Sequence, residues 1–152
     1  PFRLRIAHVV QSQLAEVGIQ LKISSYDWGT FFGDIKAGRF QMYSLAWVGV
    51  NTPDILRYAF HSASVPPGGA NRGRYRSARV DAWIESAEAA DLAEAAELYA
   101  RVQNEVHGDL VYVPLWYESN VVASRGLDRY RPGRDGNYLA LTEVRQRNAA
   151  GH

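Results

Sequence analysis

The chain has 152 residues, 47% of them hydrophobic and 22% charged, with a net charge of +1. That length allows one domain with a real core, and a balance so near neutral excludes a dedicated nucleic-acid binder, which needs a basic face to neutralise phosphates. Cysteine is absent, so disulfide frameworks, thiolate metal sites and cysteine nucleophiles are excluded, and no apolar run reaches the ~18 residues of a membrane-spanning helix.

From Phe2 to Val17 the apolar residues Ile6, Val9, Val10, Leu14 and Val17 recur at helical spacing, and Gly18 stands where a left-handed cap ends such a helix. Ile19 to Ser24 alternates strictly, which predicts a strand with Ile19, Leu21 and Ile23 inward. Asp27 suits the N-cap of a second helix with Trp28, Phe31, Phe32 and Ile35 on its inner face and Gly38 as its stop. Phe40 to Val48 is almost wholly apolar or small and breaks off in Gly49-Val50-Asn51-Thr52-Pro53-Asp54. It reads as a buried central strand opening into a loop, and the predicted fold class is α/β, a mixed sheet flanked by helices. In open α/β sheets ligands sit beyond the carboxyl ends of such strands, which directs attention to Trp47 through Asp54. A βαβ unit also needs a strand ahead of its first helix, and the chain begins at Pro1 without one, so an exposed sheet edge is expected.

Thr52 is expected to cap, and Pro53 to open, a short helix carrying Ile55, Leu56, Ala59 and Phe60. Ser62 to Ser77 is the longest irregular stretch. Ser77 caps a helix with Val80, Trp83, Ile84 and Ala87 inward, and Asp91 with Glu94 forms a capping box opening another. The core residues of that last helix are Leu92, Ala95, Leu98, Tyr99, Val102 and Val106, and Gly108 ends it. Val111 to Ala123 is β-rich, and period-2 alternation puts Trp116, Glu118 and Asn120 on one face. Turn chemistry at 131–136 leads to a short strand over Tyr138 to Leu141. The domain is taken as 1–145, with 146–152 a tail.

Trp47, at the mouth of the predicted central strand, suits either a core position or one stacked on a ligand. Asn51 and Thr52 offer polar groups from the same loop. Glu118 alternates with Trp116 and suits a charge-assisted hydrogen bond to a cationic group, or a solvated surface position. Gly68 to Tyr75 lacks the Lys-Ser/Thr ending of a phosphate-binding loop, and His8, His61, His107 and His152 have no metal-ligand spacing. No nucleophile elbow is present, and nothing calls for a cofactor.

Several of these pieces stand in an order that resembles the family 5 extracellular solute-binding proteins, the peptide- and nickel-binding receptors of ABC importers. They are Ala7 to Ile19, Tyr26-Asp27-Trp28, Leu45-Ala46-Trp47-Val48-Gly49 with Pro53-Asp54, Asn71-Arg72-Gly73-Arg74-Tyr75, Val80-Asp81, Leu98-Tyr99 with Gln103, and Val113-Pro114-Leu115-Trp116-Tyr117 with Asn120. The resemblance implies the C-terminal lobe of a two-lobe receptor of the periplasmic-binding-protein-like type II class. Such a receptor binds an oligopeptide or similar small solute between its lobes without catalysis. Its implied partners are the N-terminal lobe of the same receptor and permease subunits in the membrane. Its implied location is periplasmic or extracellular, with a signal peptide outside this chain. The ligand-binding residues it implies are Trp47, Val50, Asn51, Thr52, Trp116 and Glu118. Peptide-binding members often place an aspartate three residues after the tryptophan to pair with the peptide's amino terminus, and this chain has Val50 there. Two other readings stay open: an interaction or oligomerisation module using its exposed sheet edge, and a small hydrolase with Glu118 or Asp54 as base.

Overall fold

A computed structural model of the chain describes residues 2–117 together with 119, 121–123, 127–128, 130, 133 and 145–146. They form two compact units that divide between Phe40 and Gln41. The first holds helices α1 (Phe2–Glu16) and α2 (Trp28–Ala37), and both end as local chemistry dictates. Gly18 takes φ +83°, a region that costs glycine nothing, and lets the Ile19 N–H reach back to the Leu14 carbonyl at 2.9 Å. Asp27 accepts the Thr30 N–H at 3.1 Å to cap α2, and Gly38 closes it in the left-handed conformation. Trp28 stacks on Phe32 with ring centroids 5.2 Å apart.

The second unit is built on three helices: α3 (Asp54–Phe60), α4 (Ala78–Ala89) and α5 (Leu92–Gly108), with a 3-10 turn at Ser62–Ser64. Ser77 caps α4 through the Val80 N–H at 3.4 Å, and Asp91 caps α5 by accepting from Ala93 and Glu94. Helix α4 lies along α5, and α3 packs against both. Their shared core is Ala59, Phe60, Val80, Ile84, Val102 and Val106, with Trp47, Leu56, Tyr75, Trp83, Val111 and Tyr112 packed around it. The i, i+4 pairs Val80/Ile84 and Val102/Val106 put the two stripes face to face. Trp83 and Ala87 extend the α4 stripe as expected, but Leu92 does not join it. It is 89% exposed, because position N1 of α5 points away from the α4 contact.

The mixed α/β sheet flanked by helices is not what the structure shows. Among the described residues the fold is helical, and the only ladder is an antiparallel pair of two-residue strands, β1 (Leu127–Asp128) and β2 (Arg145–Gln146), with Leu127 opposite Gln146. Neither Ile19 to Ser24 nor Phe40 to Val48 forms a strand there. The Leu21 carbonyl is taken at 2.7 Å by the Gln11 side chain of α1, a partner that a ladder would otherwise supply. In the second segment Tyr43, Leu45 and Trp47 are half-buried, while Met42, Ser44, Ala46 and Val48 are exposed. Alternation therefore reports one covered face, not the two-faced burial of a central strand, and Val48 is 85% exposed. The larger sheet whose open edge the oligomerisation reading relied on is not present among the described residues. The residues described between 111 and 123 likewise form no strand, and the turn at 131–136, apart from Gly133, and the strand expected over Tyr138 to Leu141 fall outside the described residues. Gln146, assigned to the tail from sequence, belongs to β2.

Arg57 of α3 and Glu88 of α4 make a bidentate pair at 2.5 and 2.8 Å. The guanidinium holds the Glu88 carboxyl below its ordinary range. A carboxylate whose folded-state pKa is depressed stabilises the fold fully above its unfolded pKa and loses that contribution as pH falls through the folded value. Both side chains are about a third exposed or more (35% and 39%), so water screens the pair. Glu88→Gln is expected to cost at most ~1 kcal/mol at pH 7 and nothing at a pH below both values. Urea unfolding at the two pH values checks the difference.

Candidate functional site

The loop after Trp47 and the first turns of α3 enclose an open concavity of ≈ 400 Å³. Its lining runs from Trp47 to Asn51, then Thr52, Asp54, Ile55 and Tyr58. Three local causes shape it. Gly49 takes φ +70°, which turns the backbone back on itself where a side chain would be strained. Pro53 then occupies the N-cap position of α3, where its missing N–H costs nothing. Ile55 and Tyr58, three residues apart on α3, present one face to the loop.

Thr52 does not cap the helix as the sequence suggests. Its hydroxyl donates to the Asp54 carboxylate at 3.2 Å, and no side chain caps α3. Pro53 displaced it by one position, since its fixed φ already suits the residue before the first turn. Asp54 sits in that first turn, where the positive end of the short helix favours it, and among the described residues it is the one carboxylate in the lining.

Trp47 is half-buried: it packs on the helical core and also forms a wall of the concavity. Tyr58 meets it edge-on, with centroids 6.2 Å apart and planes at 69°. The Arg72 guanidinium lies over the indole, 4.9 Å from the ring centroid. Near it the Tyr112 hydroxyl is buried, with no hydrogen-bond partner among the described residues. Burial pushes this phenol well above its ordinary range; Tyr43 pushes the same way and Arg72 pulls back. Tyr43 and Trp47 are close enough to bear on its ionisation without meeting hydrogen-bond geometry.

Arg72 is carried by the loop over Gly68 to Tyr75. The loop is pinned. Asn71, 1% exposed, donates from Nδ2 to the His61 and Tyr75 carbonyls at 3.1 and 2.8 Å and accepts the Tyr75 N–H at 2.8 Å. The Ala70 N–H donates to the Tyr58 carbonyl at 2.8 Å, tying the loop to the helix that lines the concavity. His61 completes the anchor: its Nδ1 accepts the Ala63 N–H at 3.1 Å, which leaves Nε2 to donate to Glu85 at 3.2 Å.

Of the six residues singled out from sequence, the structure brings Trp47, Val50, Asn51 and Thr52 together in one lining. Trp116 is half-buried and is not part of that lining. Glu118 lies outside the described residues. Ile55, Tyr58 and Arg72 were not picked out as site residues. The i, i+3 spacing of the first two was a usable signal. Arg72 gave none, because only folding carries it back across 25 residues of sequence to Trp47.

Two aromatic rings, three aliphatic side chains and a turn of backbone around one carboxylate line the concavity among the described residues, a mainly apolar make-up with few polar groups. Residues 1–66 match the family described as bacterial extracellular solute-binding proteins, family 5 Middle. The chain is 34% identical over 113 residues to di/tripeptide-binding protein 4 of Pseudomonas aeruginosa, covering 73% of this chain and 21% of that protein. It is 30% identical over 109 residues to the dipeptide-binding protein of Escherichia coli, covering 70% of this chain and 20% of that one. With the oligopeptide-binding protein AppA of Bacillus subtilis it shares 28% identity over 136 residues, 86% of this chain and 25% of that protein. The chain belongs to the family 5 bacterial extracellular solute-binding proteins, which are binding proteins and not enzymes. It spans about a fifth of the length of the curated relatives it matches first.

Proposed function

We propose that this chain is part of the solute-binding component of an ABC importer working in the periplasm or outside the cell. The Trp47 to Tyr58 concavity is one wall of its binding site for a di- or tripeptide-like solute. One observation carries the reading: four residues expected from sequence to face a ligand line a single concavity, and it lies inside the stretch that matches the family. The names of the relatives in Pseudomonas aeruginosa and Escherichia coli support a short peptide as the solute. The rest of the receptor supplies the opposing wall, and a membrane permease receives the loaded form.

One wall desolvates only one side of a ligand, so the isolated chain is a weak receptor. Titration of the isotope-labelled chain with trialanine is expected to shift the backbone signals of residues 47–58 with a Kd of about 1 mM or weaker. Trp47→Ala is expected to weaken binding about tenfold, the loss of one aromatic contact. Submicromolar binding by this chain would contradict the single-wall reading. Trialanine shifts that avoid residues 47–58, or their absence up to about 30 mM, would end it.

A further inference from the structure

We propose that Arg72 is a positioning residue of the solute site, fixing the Trp47 indole as a wall without itself touching the solute. The inference rests on the reading of the Trp47 concavity as that site. Its own basis is geometric. Arg72 lies over the indole at 4.9 Å from the ring centroid, inside the ≈ 6 Å range of a cation–π contact, yet it is not among the residues lining the concavity. The guanidinium therefore acts through the ring.

The indole is held from two directions. Tyr58 meets it edge-on, and Arg72 covers its ring. Neither partner is free to drift, because both belong to one hydrogen-bonded frame. Asn71, next to Arg72, is locked by three side-chain bonds, and the Ala70 N–H is bonded to the carbonyl of Tyr58 itself. A shift of the loop would move the Trp47 clamp and α3 together. The segment that carries Trp47 needs such a clamp. Residues 42–51 make no strand pairing among the described residues, and Val48, one residue beyond the indole, is 85% exposed. Without ladder bonds to fix the backbone, the orientation of the indole depends on its side-chain neighbours.

The test uses the full chain and two readouts. Four tryptophans give four indole N–H signals in a nitrogen–proton spectrum, and Trp47→Phe assigns the one from Trp47. Arg72→Met keeps the aliphatic stem and removes the charge, while Arg72→Lys keeps a cation within reach of the ring. In Arg72→Met the Trp47 indole signal is expected to move without ligand, and trialanine binding to weaken about three- to tenfold. Arg72→Lys, whose ammonium still reaches the ring, is expected to lose less affinity than Arg72→Met. An unmoved indole signal and unchanged affinity in Arg72→Met would overturn the proposal, as would equal losses in Met and Lys, which mark a merely structural contact. Should Trp47→Ala bind trialanine as the parent does, the reading of the concavity fails instead, and the ligand-free indole signal still decides whether Arg72 fixes the ring.

Discussion

Asn71→Leu is expected to lower the stability of the second unit by about 3 kcal/mol, although it swaps side chains of the same branched shape and heavy-atom number. Asn71 is 1% exposed and uses both ends of its amide. Leucine would leave the Tyr75 N–H and carbonyl without that partner in a half-buried loop, at ~1 to 3 kcal/mol for each group that water cannot reach. The His61 carbonyl suffers less, since it also accepts the Ser64 N–H at 2.9 Å. Asn71→Asp is expected to be at least as damaging, because it keeps one acceptor but turns a negative charge toward two carbonyl oxygens. For a unit of this size the leucine variant should melt about 10 °C below the parent. A fall of less than ~1 kcal/mol in urea unfolding would mean that water satisfies the loop, and the pinned frame around Arg72 would lose its support.

Ile84→Ala is expected to cost about 3 to 4 kcal/mol. Ile84 is fully buried at the centre of the α3, α4 and α5 core, with Val80 and Val102, also fully buried, in the same cluster. Three methyl or methylene groups leave the core, and helices on both sides hold the space open, so the cavity adds to the lost transfer energy. The control is Leu92→Ala. Hydropathy and helical spacing put Leu92 in the same core, yet its 89% exposure predicts a change within ~0.5 kcal/mol. Denaturant unfolding of the two variants separates the readings, since comparable losses would mean that α5 turns its first residue inward.

These expectations divide along the distance over which a residue acts. Gly18, Asp27, Gly38, Ser77 and Asp91 end or begin helices by bonds to backbone within about five positions, and each was legible from its neighbours alone. So was the turn after Trp47, where a glycine and a proline leave the backbone few choices. The ordered motifs that resemble family 5 receptors were also legible, because such a match needs only the chain. The pairing of the apolar segments was not. Alternation at Ile19 to Ser24 and apolarity at Phe40 to Val48 state which side chains prefer cover, but a strand exists only when a second backbone comes alongside to exchange hydrogen bonds. Among the described residues none does, and the Leu21 carbonyl turns to Gln11 instead. Arg72 over Trp47, and Asn71 between His61 and Tyr75, likewise arise only when the loop folds back on α3. The sequence by itself determined an end of every long helix, the turn after Trp47 and the family. Tertiary structure alone decided which apolar faces are covered and which side chains meet the Trp47 ring, since both depend on partners remote along the chain.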